Sequence, residues 1–555
     1  MTSLLLELEN VPSPLGFDSW LTFWLILVVS VLNGILMLFS GYKFLQIIQL
    51  SGYKLKGYWQ WIKDTKASYW WRLVALSLLS SAALLMTNVL LEQFLVYKIL
   101  TYAGLLFYFL FSIIFIINLY SAPQKTPLKY TKRMSRLCTV VVLLVVALTF
   151  FIMTASSLYI PFFDFGIVGL TPMLLPLIIV LAYYIMLPIE MLISRGYIVK
   201  AKRIIDLHED LIVVGITGSY GKTSVKNILN SMLSMKYNVC ATPYSYNTPL
   251  GLAKTILNNL KKGDKIFIAE MGAKYVGDIK YLAQMVKPDM AVVTGIGNQH
   301  LATFGSKENL VKTKYELVEN VSENGKVFVN TDSAGAKQIF DWANKTKFSL
   351  SLENDNGDYV SDISVSSRGS KFVLHIGKEQ VSCETVLLGK HNISNILLCA
   401  KVAHELGVGL EDIKIAISKL VPSAHRLAIV PSSNALVVID DAYNGSVEGS
   451  TAALEVLKEF AGKKIVITPG LVELGADEYN SNFEFGKKMA GVCDYVIING
   501  VVNYEPIAKG LEDGGFNKEK ILRAGSLKQA IELLNGFAEA GDVVLFENDL
   551  PDNYN

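Results

Sequence analysis

The chain has 555 residues, 52% of them hydrophobic, with 51 Lys and Arg set against 49 Asp and Glu for a formal net charge of +2. That apolar excess is too large for an ordinary soluble protein, and the near-neutral balance argues against nucleic-acid binding. The five cysteines, Cys138, Cys240, Cys383, Cys399 and Cys493, form no CxxC pair, which disfavours a zinc site or a disulfide scaffold and suits a reducing compartment.

The apolar residues concentrate in the first 200 positions. Segments 20–42, 73–91, 99–120, 137–156 and 166–190 are each apolar over about 20 residues, the length a helix needs to cross a bilayer core of about 30 Å. The first does not read as a cleaved signal peptide, since it is too long, lacks a basic leader and follows Glu7, Glu9 and Asp18. Lys43, Lys54, Lys56, Lys63, Lys66 and Arg72 separate the first two segments, and Lys125, Lys129, Lys132, Arg133 and Arg136 separate the third and fourth. Both loops are therefore expected inside, and 1–19, 92–98 and 157–165, with Lys98 as their one basic residue, outside. Five spans from an outer N-terminus bring Arg195, Lys200, Lys202 and Arg203, and all that follows, to the cytoplasmic face of a plasma membrane. The basic loops satisfy the positive-inside rule by themselves, and a site for anionic lipid would look the same. "GYWQWIKDTKASYWW" (57–71), aromatic and basic together, reads as an interfacial helix.

After residue 200 the composition becomes that of a mixed α/β protein. "LIVVGITGSYGKTSVKNILNSML" (211–233) reads as a β-branched strand, a glycine-rich turn and an amphipathic helix, the order a phosphate-binding loop requires. Gly218 and Gly221, with Ser219 and Ser224, let backbone N–H groups converge on phosphate oxygens, Lys222 supplies a positive charge, and the Thr223 hydroxyl can ligate Mg2+. The commonest spacing would place a glycine at 216, where Ile216 stands. The G-x-x-G-x-x-G-K-T arrangement is instead typical of one group of ATP-dependent ligases.

From about 206 to 545 the chain resembles the Mur ligases, and among them the D-alanyl-D-alanine-adding branch. The landmarks are "SYNTPLG" (245–251), "AEMGAKYVGDI" (269–279), "VVTGIGNQHLATFGS" (292–306), "KTKYEL" (312–317), "LLGKHNISNILLCAKVA" (387–403), "AHRL" (424–427), "IDDAYNGSVEGSTAAL" (439–454) and "GLVELG" (470–475). The resemblance implies that Glu270, at the end of the strand "KIFIA", is a Mg2+ ligand, and that His300 holds a second metal. It implies that Lys314 carries a carbamate, although neighbouring Lys312 leaves the register open, and a lysine there can equally be solvated. Asn392 and Asn395 correspond to asparagines that contact the nucleotide, and the pair can equally cap the helix that follows. Arg426 is expected to reach the ATP phosphates on domain closure. Asp441, Tyr443 and Asn444 form a loop that meets the nucleotide, or a plain Asp/Asn turn.

The chain departs from the family in two places. Membrane segments stand where a uridine-nucleotide-binding domain is expected, and the end "FENDLPDNYN", with Glu547, Asp549 and Asp552, replaces a basic Lys-Gly-Ser-Arg type segment. The expected architecture is an all-α transmembrane bundle (1–200), an α/β ATP-binding central domain (206–422) and a Rossmann-like closing domain (423–555). The expected activity is a membrane-anchored, ATP- and Mg2+-dependent carboxylate–amine ligase joining an amino acid or short peptide to an envelope precursor, with a lipid-linked precursor among the expected acceptors. Its rivals are a poly-γ-glutamate synthetase, an ATP-driven transporter or flippase, and a catalytically dead anchor.

Overall fold

The computed structural model describes residues 19–64, 68–89, 106, 108–110, 112–114, 116–117, 127–159, 168–297, 301–352, 357–423, 425–430, 432, 435–442, 446–472, 474, 477–500 and 502–548. The chain divides into two units, Met1–Ile193 and Ser194–Asn555.

The first unit is helical: α1 (Ser19–Ser40), α2 (Tyr42–Leu50), α3 (Leu55–Asp64), α4 (Ser68–Val89), α5 (Lys132–Tyr159) and α6, which starts at Thr171 and continues to Asp206. Among the described residues three stretches are long and apolar enough to cross a bilayer, Phe23–Ser40, Lys132–Thr154 and Thr171–Asp206, and they overlap the expected spans 20–42, 137–156 and 166–190. The expected span 73–91 falls on α4, whose apolar stretch Trp70–Leu79 is shorter. Residues 90–91 and most of 99–120 lie outside the described residues.

Close approach of α1 to α5 depends on Gly34, where a Cβ would stand 2.7 Å from a Val146 methyl. Small residues are what allow helices to pack without water to drive them together. Beside it lies a buried polar node: Asn33 Nδ2 donates to Thr149 Oγ1 (3.0 Å) and Thr171 Oγ1 (3.2 Å), and Tyr108 OH donates to Asn33 Oδ1 (2.8 Å). Each polar side chain there finds its partner inside the bundle, as an apolar surrounding demands. The aromatic stretch 57–71 expected as one interfacial helix is divided between α3 and the start of α4, with 65–67 outside the described residues; in α3 Tyr58 is fully buried and its OH donates to the Pro176 carbonyl at 3.2 Å. Glu190 of α6 is paired with Arg136 (2.6 Å) and Arg133 (3.8 Å) of α5.

The second unit contains three sheets. Strands β1 (Ile212–Thr217), β2 (Val239–Ala241), β3 (Ile266–Glu270), β4 (Met290–Val293), β5 (Lys326–Asn330) and β6 (Thr346–Leu350) form a parallel sheet in the order β2-β3-β1-β4-β5-β6. Its inner strands β1, β3 and β4 are near-continuous apolar, buried runs, as strands covered on both faces are. An antiparallel meander, β7 (Asp358–Ser366), β8 (Gly369–Ile376) and β9 (Glu379–Thr385), packs Phe372, Leu374, Ile376 and Val381 into the same core. The third sheet has the order β10-β11-β15-β12-β13-β14, from β10 (Ala428–Val430), β11 (Val437–Asp441), β12 (Lys464–Thr468), β13 (Tyr495–Asn499), β14 (Ile521–Ala524) and β15 (Val543–Glu547). Only β10 runs antiparallel in it. The runs "ALVVI", "KKIVIT", "YVIIN" and "DVVLF" are β11, β12, β13 and β15, as a Rossmann-like reading expects.

Candidate active site at the phosphate loop

Ligands of open parallel sheets bind at the carboxyl ends of the strands. Here the three central strands deliver the phosphate loop (after β1), Glu270 (the last residue of β3) and Thr294 (after β4), with Ile216 paired in register to Glu270. Gly218 has φ +151°, and a Cβ there would fall 1.9 Å from Thr294 Oγ1, so no side chain fits. The loop is tied down by Ser219 N donating to the Gly295 carbonyl (2.9 Å) and Ser219 Oγ to the Gly297 carbonyl (3.2 Å). Gly221, φ +80°, opens helix α7 (Lys222–Leu233), whose first turn holds Thr223 and Ser224. Backbone donors at such a helix start are suited to an anion.

Lys222 Nζ donates to the Gly218 (2.8 Å) and Ser219 (2.9 Å) carbonyls, so the ammonium lies over the loop. Burial pushes its pKa down to about 8, with Glu270 opposing that shift and the Arg426 charge adding to it. Thr223 Oγ1 stands 3.1 Å from both Glu270 carboxylate oxygens. Among the described residues no three His, Cys, Asp or Glu side chains converge. The donor set that does exist, one hydroxyl and one carboxylate, fits Mg2+, which takes hard oxygen ligands from one or two protein groups and the rest from phosphate and water.

Glu270 is almost fully buried, and it is also held by Asn247 Nδ2 (3.3 Å) and by Lys226 Nζ (3.0 Å), itself buried and donating to the Tyr244 carbonyl. Sequence reasoning missed Lys226. Its signal was a charged residue one turn after Lys222, beside Val225, Ile228 and Leu229 on the buried face of the helix. Breaking a buried pair leaves an uncompensated charge, so Lys226→Met is expected to destabilise the protein by about 3–5 kcal/mol. Denaturant unfolding in detergent measures this, and an unchanged midpoint would reject the pairing.

Helix α8 (Lys307–Glu319) starts at the Ser306 cap and places Lys314 in the interior while Lys312 stays exposed. Burial, and next the charge of Lys222, push the Lys314 pKa down to about 7 against Asp278 and Glu316. In helix α9 (Lys390–Glu405) the two asparagines divide: Asn392 Nδ2 donates to the Leu388 carbonyl (2.8 Å), whereas Asn395 Oδ1 lies beside Gly221, 3.3 Å from where a Cβ would be. Asn392 thus ties down the start of its helix, and Asn395 faces the loop.

Arg426 stands within electrostatic reach of Lys222 and of Asp441. Asp441 Oδ1 accepts from Leu427 N (3.0 Å), and the residue pairs in register with Glu547. Burial raises Asp441 to about 6, and burial followed by the Asp441 charge raises fully buried Glu547 well above the carboxylate range. Helix α10 (Val447–Lys458) brings a residue that the sequence did not flag: the Glu448 carboxylate packs on Gly297, 2.4 Å from where a Cβ would be. His300, Tyr443 and Asn444 lie outside the described residues.

Comparison with known proteins accords with this geometry. The Mur ligase middle domain matches residues 216–403, and the Mur ligase glutamate ligase domain matches 425–547. The UDP-N-acetylmuramoyl-tripeptide–D-alanyl-D-alanine ligase of Buchnera aphidicola is 33% identical over 291 residues, 50% of this chain and 63% of that protein. The ligase of the same name from Bacillus subtilis is 28% identical over 340 residues, 60% of this chain and 72% of that one. The crystal structure of MurF ligase from Thermotoga maritima in complex with ADP superposes with a TM-score of 0.58 at 26% identity, covering 64% of this chain and 80% of that one. The match to the first of these thus spans less than two thirds of its length. Through the middle domain at 216–403 and the C-terminal domain at 425–547, which together contain the phosphate loop and every group placed around it, this chain belongs to the Mur ligase family.

Proposed function

We propose that the chain is a membrane-anchored, ATP-dependent ligase that joins the carboxylate of a cell-envelope precursor to the amine of an amino acid or short peptide. The observation that carries this reading is the phosphate loop with Lys222 over it and the Thr223–Glu270 hydroxyl–carboxylate pair beside it, set at the carboxyl ends of the central sheet. The domains would be 1–200 for anchoring, 206–422 for ATP and 423–555 for closure. Gly218, Ser219, Gly221, Lys222, Thr223, Ser224, Asn395 and Arg426 would hold the nucleotide, with Asn392, Asp441, Tyr443 and Asn444 completing the set.

A precursor carboxylate oxygen attacks the γ-phosphorus of ATP and ADP leaves. The amine then attacks the acyl carbon, phosphate leaves, and the nitrogen loses a proton. Two anions must meet in the first step, so Lys222 and Arg426 would stabilise the charge that develops on the transferring group. Thr223 and Glu270 would hold Mg2+ and His300 a second metal, and the bound ions would supply further neutralisation of charge. Lys314 as a carbamate would supply an anion within electrostatic reach of Lys222.

The precursor is proposed to be lipid-linked. Three helices of the first unit are long and apolar enough to cross a bilayer. Tethering raises the effective concentration of a membrane substrate without a new contact, and does nothing for a soluble one. Protein in nanodiscs, given ATP, Mg2+, D-alanyl-D-alanine or single amino acids, and either lipid-linked muropeptide or its UDP-linked counterpart, tests this. ADP release with the lipid form is expected to be at least ~10-fold more efficient. Equal use of the UDP form, together with turnover unchanged on deletion of 1–190, would reject the lipid-linked precursor but leave the ligase reading standing.

A further inference from the structure

The linker that carries Arg426 is held in an unfavourable backbone conformation. His425 (φ +59°) and Leu427 (φ +46°) both adopt left-handed geometry on either side of the arginine, and neither is a glycine. Such residues persist only where the surroundings over-determine them. On one side, Asn227 Nδ2 of α7 donates to Ser423 Oγ (3.0 Å), and Arg426 N donates to the Ser423 carbonyl (3.2 Å). On the other, Leu427 N donates to Asp441 Oδ1 (3.0 Å), and His425 Nδ1 meets Asp440 Oδ2 at 2.7 Å. Asp440 is itself fixed, since its other oxygen accepts from Ala442 N (3.1 Å). The β10–β11 pairing sets this up, because Ala428, the first residue of β10, lies opposite Asp440.

We propose that Asp440 is a positioning residue: through His425 it holds the linker in the one conformation that turns the Arg426 guanidinium toward the phosphate loop. Asp441 supports the same linker at the next residue, but it is coupled to Glu547 and was already expected near the nucleotide. The Asp440 carboxylate makes no hydrogen bond to Glu547, although its charge adds to the rise in the Asp441 pKa. Its hydrogen bonds go to His425, on the linker, and to Ala442; the proposed effect on nucleotide passes through Arg426, and the double variant with Arg426→Ala tests that route. The inference rests on the reading of Arg426 as a phosphate-side group.

Full-length protein in detergent with Mg2+ is titrated with a fluorescent ATP analogue, comparing wild type with Arg426→Ala, Asp440→Ala, Asp440→Asn, His425→Ala and the Asp440→Ala/Arg426→Ala pair. Loss of a charge-assisted contact is expected to weaken binding by ~10–100-fold in Arg426→Ala. Asp440→Ala and His425→Ala are each expected to weaken it by ~5–10-fold, and Asp440→Asn, which can still accept from His425, to stay within ~2-fold of wild type. In the Arg426→Ala background, Asp440→Ala should add nothing beyond ~2-fold, since coupled residues are non-additive. A purely structural role would cost the same in both backgrounds. Wild-type binding by Asp440→Ala, or an equal loss with and without Arg426, overturns the proposal. Should Asp440→Ala not fold, His425→Ala carries the same comparison. Wild-type binding by Arg426→Ala would instead overturn the phosphate-side reading, and the positioning role with it.

Discussion

Lys222→Ala is expected to lower acceptor-dependent ADP release by at least ~10²–10³-fold while leaving the protein folded. The size follows from position. The ammonium lies on two loop carbonyls, Gly218 and Ser219, at the start of α7, and is not locked into an ion pair of its own. It is therefore available to an incoming phosphate, and no other described lysine lies over the loop in this way. Its contacts within the protein are two hydrogen bonds to loop carbonyls, each of which contributes about 1 kcal/mol net, so the loss of fold stability is expected to be small beside the loss of activity. ADP release and the thermal midpoint, measured on one preparation, separate the two effects. Near-normal ADP release by the variant would reject the assignment.

Lys314→Ala is expected to lose activity by about two orders of magnitude, the scale of removing one oriented charge from a preorganised site, and to regain part of it when formate or acetate is added. The structure supplies the chemical condition for a carbamate. Burial, with the Lys222 charge next in size, brings the Lys314 pKa down to about 7, so that the uncharged amine is well populated near neutral pH. That amine can attack carbon dioxide, forming an N–C bond and releasing a proton. The product is an anion in the neighbourhood of Lys222, where it replaces a repulsion with an attraction. Protonation of the amine blocks the reaction, so wild-type activity should fall as pH drops through about 7 and rise with added bicarbonate. Full activity of Lys314→Ala without supplement would remove the carbamate from the mechanism, and failure of bicarbonate to act at low pH would argue the same way.

The features legible in the sequence are those built from contiguous residues. The phosphate loop is one, because a strand, a glycine turn and a helix start need only local backbone freedom, and Gly218 and Gly221 adopt the positive φ that the motif requires. Glu270 is another, since the end of an apolar strand in a parallel sheet is the edge where ligands bind. The three apolar helices of the first unit follow from length and composition alone. The strands β10 and β14 and the meander β7–β9 were not anticipated. Short edge strands carry little periodic signal, and the meander's alternation is interrupted by a register shift between Ser361 and Ser364.

What only the tertiary structure decided are the choices between chemically equal neighbours and the partnerships across distance. Lys312 and Lys314 are equivalent in the string "KTKYEL", and the rotation of α8 against the core buries one and exposes the other. Asn392 and Asn395 are equivalent in "KHNISN", yet the first is committed to the start of its own helix and the second faces Gly221. Lys226 meets Glu270 across 44 positions, and Asp441 meets Glu547 because parallel strands β11 and β15 are neighbours in register. The sequence determined which groups the chain owns and where its strands and helices can begin. Which of them lose water, and which charges then have to share a site, depends on long-range pairing of elements that no local window contains.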